Sequence, residues 1–223
     1  MKITASNFAQ AHRELIRIIT RFGTEIPTDY DKPDEPASHD IAVMIEILAS
    51  WSPPVFSKCV WENGAEGLLA YKDEVLCGTH DHLIDTLGYT YHDRIKDQLN
   101  GVQDELIRNP HTRRAQFITW QPEIDLGSSH PPCLQRGWFR VRKGKLDFHT
   151  HWRSRDALKA WGSNVFAFAH LHKDWADKLG IPIGIYREFI DSAHIYGRDI
   201  AYAAEMVKRP PKDIEWPLAE IMK

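Results

Sequence analysis

Trp138-Phe139-Arg140-Val141-Arg142-Lys143-Gly144-Lys145-Leu146-Asp147-Phe148-His149-Thr150-His151-Trp152 reads as a β-hairpin. Its first limb is Trp138–Val141, Lys143-Gly144 supplies the turn, and Lys145–Trp152 returns. In the returning limb Leu146, Phe148, Thr150 and Trp152 alternate with Asp147, His149 and His151, the period of a strand with one buried face. Working outward, Ala115–Trp120 reads as a further strand. Asn164 to Leu179 reads as a long helix, apolar around most of its surface and so sandwiched in a core, with Gly180 and Pro182 as its stop. Ile183–Tyr196 then reads as a long final strand.

Upstream, residues 6–22 form the first helix, because Phe8, Ala11, Leu15, Ile18 and Ile19 recur at helical spacing. Ser6 is placed to cap it and Gly23 to end it. Asp29 to Ser38, with Pro27, Pro33 and Pro36, reads as a mobile loop. The apolar run 41–48 fits strand or helix. Residues 65–77 are helical up to Gly78, and Asp104–Ile107 closes another helix before Asn109-Pro110. Strands and helices mix without strict alternation, which predicts an α+β layered domain with a mixed sheet flanked by helices. No repeat or linker divides the 223 residues, so one domain is expected over residues 1–223.

With 28 Lys+Arg against 31 Asp+Glu, the chain is no general nucleic-acid coat, although a local cationic pocket stays open to it. Eight Trp, nine Phe and seven Tyr supply a core and exclude wholesale disorder. No apolar run reaches the ~18 residues that span a bilayer, and Met1–Ser6 carries no apolar signal core. Cysteines at 59, 77 and 133 suit a reducing compartment, so a cytoplasmic location is expected. The pairs His80/His82, His149/His151 and His170/His172 lack any Cys-x-x-Cys or HExxH partner, so no metal is expected.

Cys133 follows Pro131-Pro132, and two prolines fix the approach of a side chain as a nucleophile requires. The same thiol also reads as a small buried hydrophobe. Arginines at 21, 113, 114 and 153 offer planar forks suited to phosphate, and one beside Cys133 would lower its pKa; singly, each also reads as a solvated surface charge. On a strand, His194 and Tyr196 share a face and can offer two donors to a sugar hydroxyl, or simply end the strand as amphipathic residues.

In chain order, Arg21-Phe22-Gly23-Thr24, Tyr89-Thr90-Tyr91-His92-Asp93-Arg94, Asn109-Pro110-His111-Thr112-Arg113-Arg114, Pro131-Pro132-Cys133, Arg153-Ser154-Arg155-Asp156 with Asn164 beyond, and Ala193-His194-Ile195-Tyr196 resemble six segments of the thymidylate synthase family. The chain is most similar to its short archaeal-type or phage-type members. The resemblance implies a thymidylate synthase-like domain that acts on a pyrimidine nucleoside monophosphate. Cys133 would add to C6, with Glu74, Tyr89, Arg153 and Asp156 completing the catalytic group. Glu66 is the other glutamate of the Glu74 helix. Asn164 would hold the pyrimidine edge, and His194 and Tyr196 the ribose. Arg21, Arg153 and Ser154 would bind the phosphate, joined by Arg113 and Arg114 from the second subunit of a homodimer. Asp156 would contact the pterin of 5,10-methylene-tetrahydrofolate or a related tetrahydropterin.

The expected reaction is C5 methylation of dUMP. Leu134, Trp152, Ser192, Trp161-Gly162-Ser163 and the tail 213–223 depart from the usual family pattern, and the family tryptophan near the reactive methylene has no clear counterpart. A looser lid would admit water in place of hydride, so a 5-hydroxymethylase of dUMP, dCMP or CMP is the alternative. Outside that chemistry stand a silent nucleotide- or RNA-binding module and a Cys-His hydrolase, the latter needing a histidine such as His130 to activate Cys133.

Overall fold

The computed structural model describes residues 1–52 and 64–210, together with two short strands, Phe56–Ser57 and Glu215–Trp216. Its strands are β1 (Lys2–Ala5), β2 (Thr24–Ile26), β3 (Ser38–Ile47), β4 (Phe56–Ser57), β5 (Gln116–Ile118), β6 (Leu134–Arg142), β7 (Lys145–Trp152), β8 (Arg155–Asp156), β9 (Ile183–Ile195) and β10 (Glu215–Trp216). The α-helices are α1 (Phe8–Phe22), α2 (Gly64–Cys77), α3 (Ile84–Leu87), α4 (Tyr91–Arg108), α5 (Pro122–Asp125), α6 (Trp161–Lys178) and α7 (Ile200–Met206). Eight strands make one mixed sheet in the order β1-β3-β9-β7-β6-β5, with β2 on β3 and β8 on β9, while β4 and β10 pair separately. This is the expected α+β architecture, and the run 41–48 resolves as strand. Cys59 and the tail 213–223, apart from the pairing of Glu215 and Trp216, lie outside the described residues. No helix among the described residues is long and apolar enough to cross a membrane.

Helix α1 buries Phe8, Ala11, Leu15, Ile18 and Ile19, as its spacing requires. Its cap is Asn7 rather than Ser6: the extended Asn7 accepts the Gln10 N–H at 2.9 Å, while the Gln10 side chain accepts the Ser6 N–H at 2.7 Å. This reciprocal pair satisfies two orphan donors, a capping box displaced by one residue. Gly23 is needed where the chain leaves the helix, because a Cβ there would lie 2.5 Å from the Ile19 carbonyl oxygen and 3.0 Å from His39 Cβ.

Helix α6 begins at Trp161, three residues before its expected start, and is buried on nearly every side, with Val165, Phe166, Phe168, Leu171 and Trp175 in the core. His172 belongs to that core and lies 2.6 Å from the Leu146 carbonyl oxygen through Nε2. On the opposite sheet face Trp138, Arg140, His149, Arg187 and Phe189 are partly exposed.

Three irregularities stand side by side across the sheet. Strand β6 holds an extra residue, Gln135, between the pairs Leu134/Trp152 and Arg136/His151. Pairing of β7 with β9 stops at Trp152/Ile190 and resumes in the same register at Arg155/Ala193 on β8, so Arg153 and Ser154 leave the ladder. Strand β9 shifts against β3 between Ile190 and Ala193. Aligned bulges bend a sheet and re-aim the side chains beside them. Here those side chains are Cys133, Arg153, Ser154, Ser192 and His194.

The loop before β3 is tied at several points. The Asp31 carboxylate accepts from Ser38 Oγ at 2.7 Å and from the Thr28 N–H at 2.8 Å. Arg198 lies 3.6 Å from Glu35, and the Pro36 carbonyl packs so closely on Gly197 that a Cβ would come within 1.6 Å of its oxygen.

Candidate active site

At the bend, a cavity of about 370 Å³ is walled by Cys133, Arg153, Glu74, Tyr71, Tyr89 and Tyr30, among others. Arg153 holds the nucleophile loop: its Nε donates to the Pro132 carbonyl at 3.0 Å and its Nη2 to the Pro131 carbonyl at 2.6 Å. The same Nη2 lies 3.8 Å from Cys133 Sγ, and the Arg153 N–H donates to the Cys133 carbonyl at 2.9 Å. The two prolines thus leave carbonyls free to fix the arginine, and the arginine faces the thiol.

Burial nevertheless pushes the Cys133 thiol above its ordinary pKa. Arg153 and Arg155 pull it down, as the sequence predicted, but do not overcome the loss of water. Arg155 is itself buried, stacked 3.4 Å above the Trp152 ring and paired with Glu188 at 3.0 Å.

Glu74 lines the cavity, and its Oε2 lies 2.8 Å from His80 Nδ1. Glu66 is exposed in the first turn of α2 and lines neither of the cavities described here, which separates the two candidate bases. Tyr89 is half-buried and its phenol is raised by burial and by the neighbouring Cys133. Asn164, 8% exposed in the first turn of α6, turns its Nδ2 to the hydroxyl of Tyr71.

A second cavity of about 330 Å³ is lined by Ser154, Ser192, His194, Tyr196, Asp40 and Tyr30, among others. His194 and Tyr196 share it as their alternation implied, with ring centroids 5.0 Å apart. Burial, then Asp156, pushes the Tyr196 phenol up to about 12. The Ser192 hydroxyl donates to Asp40 across β9 and β3. Tyr30 stands between the two cavities and meets Tyr196 edge-on at 6.1 Å.

Other expected residues sit elsewhere. Asp156 lines neither cavity; its Oδ1 accepts the N–H groups of Leu158 and Lys159 at 2.9 Å, which folds the turn into α6. It stays close to the second cavity as the β8 partner of His194. Arg21 is exposed at the end of α1, with its guanidinium 5.0 Å from the Phe22 ring centre. Arg113 and Arg114 are exposed and line neither cavity of their own chain, and Arg114 is tied to Glu105 at 2.8 Å.

Sequence reasoning passed over Tyr71, Tyr30 and Asp40. Tyr71 was findable, because it stands three residues before Glu74 on a helix and so shares its face. No local pattern marks Tyr30, whose place depends on the pinned loop.

Known proteins resemble this chain over most of its length. A family model described as thymidylate synthase matches residues 60–222. A protein of Methanocaldococcus jannaschii named "Putative thymidylate synthase" is 31% identical over 209 residues, 90% of this chain and 93% of its own. Same-named proteins of Methanosarcina mazei and Methanosarcina barkeri are 28% and 30% identical, over 92% and 74% of this chain and 94% and 77% of theirs. Agreement of this extent with a single family leaves one assignment: the chain belongs to the thymidylate synthase family.

Proposed function

We propose that the chain methylates C5 of dUMP to give dTMP, taking the carbon from a 5,10-methylene-tetrahydropterin of the folate type on which its family depends. The observation that carries this reading is the Cys133 thiol facing Arg153 at 3.8 Å, in an aromatic-walled cavity that also holds Glu74. Tyr71, Tyr89 and Tyr91 line the cavity, and its volume of about 370 Å³ lies within the usual range of small-molecule sites.

In this reading Cys133 forms a bond to C6, the C5–C6 electron pair moves onto C5 and O4, and C5 becomes the nucleophile. Arg153 favours the thiolate that begins this step. The co-substrate supplies the one-carbon unit and, for a methyl product, the hydride. Glu74, acting through water, takes the proton that C5 must lose, and Cys133 then departs from C6. Asn164 meets the pyrimidine edge, His194 and Tyr196 meet the ribose, and Arg153 and Ser154 begin the phosphate site. Arg21, exposed at the end of α1, is assigned to the same phosphate by the family resemblance. Asp156 serves the pterin through the turn it caps.

A homodimer follows from the same reading. Arg113 and Arg114 are exposed and line neither cavity of their own chain, so in this reading they serve a second subunit, Arg114 by exchanging Glu105 for the phosphate, and the partly exposed sheet face with Trp138, His149 and Phe189 offers that subunit a surface.

The test is to incubate the protein with dUMP, dCMP or CMP and methylene-tetrahydrofolate and to weigh the nucleotide product, with Cys133→Ser as the control. dTMP with release of dihydropterin, absent in the control, is the expected result. A hydroxymethyl nucleotide with the tetrahydropterin retained would replace methylation with the alternative chemistry. If no nucleotide is modified, even with tetrahydromethanopterin as carrier, the enzymatic reading fails.

A further inference from the structure

We propose that Tyr71 selects the base: by holding the Asn164 amide with its nitrogen toward the phenol, it fits the site to a pyrimidine that carries N3–H, uracil, and against cytosine. The inference rests on the reading above that Asn164 meets the pyrimidine edge.

An asparagine alone does not choose between the two bases. Its carbonyl accepts and its amino group donates, and the plane can turn over to match either pattern. Uracil presents a donor at N3 beside an acceptor at O4. Cytosine presents an acceptor at N3 beside a donor at its amino group. A choice appears only when something outside the base fixes which end of the amide is which.

Tyr71 is that fixture. It reaches Asn164 across the contact between α2 and α6, and it accepts a hydrogen bond from Nδ2. Glu74 stands one turn further along the same face of α2 and lines the same cavity. The Glu74 charge acts on the phenol and favours an O–H turned toward it, and the phenol oxygen accepts from the amide. The phenol is held well above its ordinary pKa, by burial first and by the Glu74 charge second, so it remains an O–H. Tyr71 therefore holds the amide in one direction, with the Asn164 carbonyl and one amide N–H toward the ligand. That pair matches N3–H and O4 of uracil. Cytosine would set carbonyl against the N3 lone pair and N–H against its amino group. To admit it, the amide must turn over and Tyr71 must give to Asn164 the proton that Glu74 attracts. Asn164 is 8% exposed, which leaves little water to absorb a mismatch.

The experiment is isothermal titration of the full chain with dUMP and with dCMP, repeated on Tyr71→Phe and on Glu74→Gln. Wild type is expected to bind dUMP at least about tenfold tighter than dCMP, the value of one misplaced hydrogen-bond pair. Tyr71→Phe frees the amide, so the ratio falls to within about threefold, while the thermal midpoint confirms that the variant is folded. Glu74→Gln leaves the shape but can itself donate, and it lowers the ratio in the same direction; it carries the test alone if Tyr71→Phe does not fold. A dUMP preference unchanged in both variants, or wild type binding the two nucleotides equally, overturns the role of Tyr71 while leaving nucleotide binding intact. Binding of neither nucleotide overturns the functional reading and this inference with it.

Discussion

Replacing Arg153 by methionine keeps its length and removes its charge, and the consequence for Cys133 can be worked from one distance. The guanidinium nitrogen is 3.8 Å from Sγ. At that separation a thiolate and a cation attract by about 1 kcal/mol in a water-like medium and about 4 kcal/mol at an effective dielectric of 20. Both residues are half-buried, so the interaction falls between those limits. Its loss raises the pH at which the thiol ionises by about one to three pH units, since each unit is worth 1.36 kcal/mol. The sign is fixed by the chemistry: the cation favours the charged form, burial already disfavours it, and removing the cation leaves burial unopposed except by Arg155. At pH 8 the thiolate fraction then falls by about tenfold or more.

The assay is the rate of iodoacetamide alkylation against pH, in a background with Cys59 and Cys77 changed to serine so that only Cys133 reports. Arg153→Lys is the companion variant. It keeps a cation but not the fork that reaches the carbonyls of Pro131 and Pro132, and its alkylation midpoint is expected within about one pH unit of wild type. A midpoint in Arg153→Met equal to or below that of wild type would refute the electrostatic role. It would reduce Arg153 to a brace for the proline loop.

Two further outcomes bear on the frame of the site. His12 and His172 are buried against carbonyl oxygens and held near pKa 4 by burial, against about 6.5 in the unfolded chain. Their lowered values mean that the stability they support is present above pH 6.5 and is lost as pH falls through about 4, by about 3 kcal/mol for each at the limit. Urea unfolding at pH 7.5 and 5 should register the decline, and His12→Asn should flatten it. Gly197→Ala would thrust a methyl group into the Pro36 carbonyl and displace the pinned loop that carries Tyr30. It is expected to cost about 1–3 kcal/mol of stability and to weaken nucleotide binding, measured by denaturation and calorimetry; wild-type values for both would show that the loop does not shape the site.

How much of this was legible in the chain varies with how local the cause is. The hairpin of β6 and β7 is written in a period of two and a Lys-Gly turn, and both survive folding. Asp147 departs from that pattern: alternation places it outside, yet it is buried, because it accepts from Arg142 at 2.9 Å and from the Ile185 N–H at 2.9 Å. The early start of α6 was hidden by Gly162 and Ser163, poor helix formers without a capping side chain. Its first turn is fixed from outside, by the Trp161 indole donating to Glu188 at 2.7 Å and by Arg155 reaching the Trp161 carbonyl at 3.4 Å.

The bend that makes the site was the least legible feature, and β9 shows why. Tyr186, Glu188 and Ile190 are buried at even positions, whereas Ala193 and Ile195 are buried at odd ones. A strand read at constant period would bury Ser192 and His194 and expose Ala193. The bulge reverses the phase, since one extra residue exchanges the two faces for everything beyond it. Neither Asp191 nor Ser192 is a glycine or proline, so nothing local announces the shift. It becomes necessary only because β7 and β8 break opposite the same residues and β6 carries Gln135 in line with them. Motifs could name Cys133, Arg153, Ser154 and His194 one at a time. What brings them to one bend is a fault shared by three strands, and a fault of that kind exists only once the strands are paired.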